Sequence, residues 1–236
     1  MSETANLRLP LVQASQAQKH VTVNEALAQL DAMAQLSVVS RTQVAPPGDA
    51  LDGTAFIVPG SALDAWTDRA GQVAVFSNGG WTFLSARPGW RAWVQDTGRV
   101  AMFDGAAWLD SAVAISPSGA ASVLEVVETD VALTAGATIL SDDIIPARST
   151  VLGVSGIVTA EIGGSLVTWR VGVPGASGRY GTGIGLALGA WVEGMSGQPQ
   201  AYYADTPLAV EAEGGDFASG SVRLAVHLFR MQIPRV

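Results

Sequence analysis

The chain contains no cysteine, which excludes disulfides and thiolate metal sites. It has one lysine (Lys19) and two histidines (His20 and His227), too few nitrogen ligands for a histidine-based metal centre. No apolar run approaches the roughly 20 residues of a membrane span, so membrane insertion is not expected. Basic stripes are absent as well. The net charge is −8, divided about −3 and −5 on either side of residue 120. Nucleic acid is therefore not expected as a partner, and anionic membrane surfaces are disfavoured for the same reason. The opening "MSETANLRLP" lacks a basic region followed by an apolar core, so no signal peptide is read there. The expectation is folding in the cytoplasm, with any exit from the cell as part of a particle released by lysis.

Charged residues amount to only 14% against 48% hydrophobic, which rules out a disordered chain. The 236 residues are enough for one large domain or two small ones. Glycine, at 27 residues, is spread along the whole chain, as expected where many tight turns join short strands.

The organisation reads in four parts. Residues 1–41 form an arm, interrupted by Pro10, and a helix. Thr22-Val23-Asn24-Glu25 fits a capping box with Thr22 as N-cap. Val23, Leu27, Leu30 and Ala34 then recur at heptad-like spacing, and the same register runs back through His20, Gln16 and Gln13. A helix this short needs packing to hold it. Gln16, His20, Val23, Leu27 and Leu30 are therefore the expected self-association face.

Residues 42–112 carry a repeat at an offset of 27 residues, "GQVAVFSNGGWTFL" and "GRVAMFDGAAWLD". Phe76 and Phe103 match, as do Trp81 and Trp108, and each copy reads as a β-hairpin. "AFIVPGSALDAWTD" is a looser third version. Trp66, Trp81, Trp90, Trp93 and Trp108 are expected to fill this module. Residues 113–122, small and rich in Pro and Gly, read as a linker. Residues 123–236 are apolar, β-branched runs between Gly and Pro, which predicts an antiparallel β-sandwich of jelly-roll type. The fold class is mainly β.

Several stretches mimic active sites. Lys19-His20 lacks a nucleophile or metal partner and reads as a polar layer in a helical junction. "GTGIGLALG" (181–189) is followed by strand-like "WVEG" rather than a helix, so it is not a dinucleotide loop. Asp142 and Asp143, if on a strand, would point to opposite faces and make a poor acid/base pair. Nothing in the chain calls for a catalytic residue, a metal or a cofactor. The stronger signal is aromatic. Trp169, Arg179, Tyr180, Trp191, Tyr202, Tyr203 and Asp205 fall in or beside predicted strand ends and loops. Aromatic faces beside Arg and Asp are what sugar recognition uses.

The stretch "LPLVQASQAQKHVTVNEALAQLDAM", with "GQVAVFSNGGWTF" and "PGWRAWVQDTG", resembles the domain of unknown function found in gene transfer agent and prophage structural proteins of alphaproteobacteria. That resemblance covers residues 9–110. "GTGIGLALGAWVEGMSGQPQAYYADTPLAVEAEGGDF" is similar to the distal part of gene transfer agent head spikes. The resemblance implies a virion spike or fibre, located on an extracellular particle, that attaches to capsular polysaccharide of recipient cells. Its N-terminal motif would serve assembly, as a homo-oligomer (a trimer first) docked on another spike or capsid protein. Two other classes stay open. A polysaccharide depolymerase would need paired carboxylates, for which Glu161, Glu193, Asp205, Glu211 and Asp216 are candidates. A structural connector would bury the aromatics between protomers.

Overall fold

Cross-strand aromatic pairing explains why the 27-residue repeat folds as it does. In the computed structural model, which describes residues 3–13 and 19–236, both copies are antiparallel hairpins. The strands of the first unit are β1 (Ser37–Val38), β2 (Ala55–Ile57), β3 (Val73–Ser77), β4 (Gly80–Leu84), β5 (Arg91–Val94), β6 (Arg99–Phe103) and β7 (Trp108–Asp110). Phe76 lies opposite Trp81 across β3–β4, and Phe103 opposite Trp108 across β6–β7. Their ring centroids are 5.1 and 5.3 Å apart. Such pairs add about 0.5–1.5 kcal/mol beyond the area they bury. The first turn puts Asn78 (φ 52°) and Gly79 (φ 76°) in the left-handed region, the tight-hairpin geometry that Asn-Gly favours. In the second, Asp104 Oδ1 accepts from the amides of Ala106 and Ala107, each at 2.8 Å.

Unit 1 spans Met1–Ala112. Its sheets are ordered β1-β5-β6-β7 and β2-β3-β4, and β1–β5 is the parallel pairing. The third version of the repeat is not a hairpin. β2 pairs with β3, and Asp64–Trp66 forms a 3-10 turn that buries Trp66 against Phe56 and Trp81. Trp93 departs from the expected filling role, because it stands nearly half exposed on β5 while its neighbours Ala92 and Val94 point inward.

The helix α1 (Lys19–Met33) begins ahead of Thr22, so that threonine lies inside it and is not its N-cap. Two of its polar side chains, Asn24 and Asp31, hold the arm. Asn24 holds the Val12 backbone through both amide atoms, at 2.9 and 3.0 Å. Buried Asp31 accepts from the Thr4 hydroxyl (2.6 Å) and from the amides of Asn6 (2.9 Å) and Leu7 (2.6 Å). Burial pushes the Asp31 carboxyl up, but the Thr4, Leu7 and Asn6 hydrogen bonds outweigh it and hold it below its ordinary range. Residues 3–13 are thus fastened to the helix at two points seven residues apart.

Unit 2 spans Val113–Val236. Its strands are β8 (Ala112–Ile115), β9 (Ala121–Ala132), β10 (Thr138–Leu140), β11 (Ser149–Gly164), β12 (Thr168–Val173), β13 (Ala176–Ile184), β14 (Trp191–Tyr202), β15 (Ala209–Glu213) and β16 (Phe217–Gln232). They form two sheets, β14-β11-β16-β9-β8 and β10-β15-β12-β13, that share one apolar core. Alternation along the strands builds it. Val222, Leu224, Val226 and Leu228 of β16 point inward and meet Trp169, Val171 and Val210 from the other sheet. The stretch expected as a linker belongs to this sandwich: β8 is its edge strand, and Ser116–Ala120 closes the turn to β9. No helix follows "GTGIGLALG", and its glycines lie in β13 and the loop after it.

Candidate functional site

Every strand that turns alternate residues into the core turns the others to solvent, and on the five-stranded sheet those others form a grid. Arg223, Ala225 and His227 of β16 face outward between their buried neighbours. Register places Asp130 beside Arg223, Glu128 beside Ala225 and Val126 beside His227 on β9. On β11, Ile157 pairs with Arg223, Ser155 with Ala225 and Gly153 with His227. On the edge strand β14, Trp191 pairs with Ile157, Glu193 with Ser155 and Met195 with Gly153. Small Gly153, Ser155 and Ala225 thus leave a hollow among the larger Trp191, Met195, Ile157, Arg223 and His227. The result is a groove of about 610 Å³.

Its apolar wall is exposed: Trp191 is 68% and Met195 84% accessible. Its polar groups are ordered. Ser155 Oγ and His227 Nε2 lie 2.9 Å apart. Arg223 donates to both carboxylate oxygens of Asp130, each at 2.8 Å, and its Nε lies 3.6 Å from Glu128. The hydrogen bonds to Asp130, then its charge and that of Glu128, hold the guanidinium well above its ordinary value. Asp130 in turn is held down, by the Arg223 hydrogen bonds first.

Of the expected sugar-binding residues, Trp191 alone lines this groove. Trp169 is 0% exposed and donates from Nε1 to the Gly185 carbonyl at 2.9 Å, so it is a core residue. Tyr180 is buried too, its hydroxyl 2.9 Å from that of half-buried Tyr202. Burial, and then that hydrogen bond, push the Tyr180 phenol far up, so it stays neutral. Arg179 is exposed on β13, in the other sheet. Asp205 accepts from the Ala147 amide at 2.7 Å and so ties down a loop. Tyr203 is free to solvent at 85% exposure. Trp191 and Tyr202 open and close β14, so at about 3.3 Å per residue they are separated by more than 30 Å of strand. One saccharide cannot bridge them. Glu128, Ser155, Ile157, Met195, Arg223 and His227 were not picked out as site residues; the alternation in "VRLAVHL" was the available signal for two of them.

Among the depolymerase candidates, Glu193 lies in the groove and Glu211 is bonded to Arg170. Glu161 and Asp216 are not groove residues. The described residues hold no group of three or more side chains suited to a metal ion.

On the helix, Val23 (43%) and Leu30 (59%) stand exposed, whereas Leu27 and His20 are half-buried. Gln16 lies outside the described residues. No helix among the described residues is long and apolar enough to cross a membrane.

Fold and groove define a two-unit, mainly β protein with a ligand-sized outer face on its second unit. Residues 23–109, all within unit 1, match a family described as "Protein of unknown function (DUF2793)". No curated protein matches the chain. Among solved structures, a chain of the Cyanophage Pam1 capsid asymmetric unit is similar at 20% identity and a TM-score of 0.35, over 46% of this chain and 86% of that one. A likeness of that degree carries no argument about function.

Proposed function

We propose that the chain is a spike or fibre protein of a virion-like particle and binds cell-surface capsular polysaccharide through the outer face of its C-terminal sandwich. The observation that carries the reading is the groove itself. Exposed Trp191, with Met195 and Ile157, offers apolar stacking beside Glu193, Glu128 and the Ser155–His227 pair. The particle-borne part rests on the sequence resemblance over residues 9–110. Exposed Val23 and Leu30 give the assembly helix an unpartnered strip for a second copy or for another particle protein. Several weak sites on one trimer would supply avidity.

Binding is favoured over cleavage by strand register. Glu193 and Glu128 sit at opposite ends of the same row, β14 to β9 through β11 and β16. Three strand spacings put their Cα atoms about 14 Å apart, and the Glu128 carboxylate lies 3.6 Å from Arg223 Nε, so it is engaged in an ion pair rather than paired with Glu193.

A connector reading has one observation in its favour. The apolar strip continues past the groove through Leu124, Val126, Phe229 and Met231, which would suit burial against a second copy. Sedimentation of the full chain alone and with polysaccharide from capsulated cells separates the two. Binding predicts polymer-dependent complexes from wild type that Trp191→Ala loses. Burial of the face predicts self-association that Trp191→Ala weakens, with no response to polymer.

A further inference from the structure

The charges around the groove also select among glycans. We infer that it takes a neutral or amino-bearing polysaccharide and turns away an acidic one, an assignment that rests on the glycan reading above. Three carboxylates, Glu128, Asp130 and Glu193, stand on this part of the face. Among the described residues lining the groove, Arg223 is the one guanidinium or ammonium side chain. It is already engaged: Asp130 takes two hydrogen bonds from it at 2.8 Å, and Glu128 lies 3.6 Å from its Nε.

A uronate or phosphate on an incoming polymer would need a cation to replace its water. The fork that normally recognises such a group, a guanidinium presenting two parallel donors, is closed here by Asp130. Opening it would leave Asp130 without its partner. Glu193 on the β14 side and Glu128 on the β9 side meanwhile face the polymer with acceptors only. Sugar hydroxyls and amines are donors, and charge-assisted bonds to carboxylates are the strong kind. The apolar C–H face of a neutral pyranose needs only the exposed Trp191 and Met195. Net charge acts in the same direction: at −8 the whole chain repels polyanions from a distance, over a Debye length of about 10 Å at 0.1 M salt.

The experiment is gel-retardation affinity electrophoresis of the full chain against a panel of capsular polysaccharides. Each uronate-bearing polymer is run in native form and after carboxyl reduction, which changes the charge and keeps the backbone linkage. The expected result is retention by neutral or reduced polymers, at least about tenfold stronger than by the matching uronate form at low salt. The gap should shrink severalfold in 0.5 M salt and in Glu128→Gln/Glu193→Gln, whose exposed positions leave folding intact by circular dichroism. Stronger retention by the native uronate form, lost in Trp191→Ala, overturns the charge selection and leaves the groove as a glycan site. No retention by any polymer, or retention unaffected by Trp191→Ala, overturns the glycan reading and the selection with it.

Discussion

Asp31→Asn tests how the N-terminal arm is held. The carboxylate accepts three hydrogen bonds, two at Oδ1 from Thr4 and Leu7 and one at Oδ2 from Asn6. Asparagine keeps one acceptor oxygen and replaces the other with an NH₂ that faces the Asn6 amide, donor against donor. One charge-assisted bond is lost and the remaining two become neutral. At about 1.5–3 kcal/mol for a bond to a charged group, against about 1 for a neutral one, the cost should be at least roughly 2.5 kcal/mol. For a unit of this size that lowers Tm by at least roughly 10 °C. The sign with pH follows from the depressed folded-state carboxyl. Its stabilisation is complete above the unfolded carboxylate range and is lost as pH falls through the lowered folded value. Wild type and variant should therefore differ most at pH 7 and converge towards pH 3. Calorimetry reads the gap, and hydrogen exchange at the Leu7 amide shows whether the arm itself has come loose. A gap that is the same at pH 3 and pH 7, or no gap, would refute the reasoning.

Three further substitutions probe the rest of the molecule. Gly194→Ala would place a Cβ 1.7 Å from the Tyr180 carbonyl oxygen, where backbone faces backbone. It should destabilise the second unit by about 3 kcal/mol or more, and a melting curve within 2 °C of wild type would contradict this. Tyr180→Phe removes one hydroxyl whose partner, Tyr202, is half-exposed and can turn to water. The expected cost is about 1 kcal/mol with polymer binding untouched; a lost binding signal with unchanged melting would return Tyr180 to the site. Val23→Ser/Leu30→Ser alters exposed positions, so Tm should hold while light scattering reports a smaller assembly. An unchanged mass would exclude this strip from self-association.

Local pattern carried much of the fold. The 27-residue spacing of Phe and Trp foretold both hairpins, because the matching residues are cross-strand partners and pairing preserves their interval. β-Branched runs between glycines foretold the sandwich. What local pattern could not carry was parity, the choice of which alternate residues turn inward. Trp169 and Trp191 look alike in sequence, yet one fills the core and the other faces solvent. Parity also shifts at bulges. After the irregularity between Val151 and Gly153, the inward set of β11 continues at Val154, which leaves Ser155 outward. The groove draws on residues 128, 155, 191–195 and 223–227, which only register brings together. The helix start was misplaced because the capping-box pattern at Thr22 occurs within a longer helix. The chain at 113–122 was read as a linker because small residues, Pro and Gly suit an edge hairpin equally well.

Retention of capsular polysaccharide by wild type and Trp191→Ala, with polymer chain length scored in the same sample, bears most directly on the central claim. Trp191 is 68% exposed, so its loss should leave Tm unchanged. The account predicts uncut polymer held by wild type and at least about tenfold weaker retention by the variant, since one stacking aromatic is worth on the order of 1.4 kcal/mol or more at each site. Equal retention by both proteins, or polymer shortened by wild type, would contradict it.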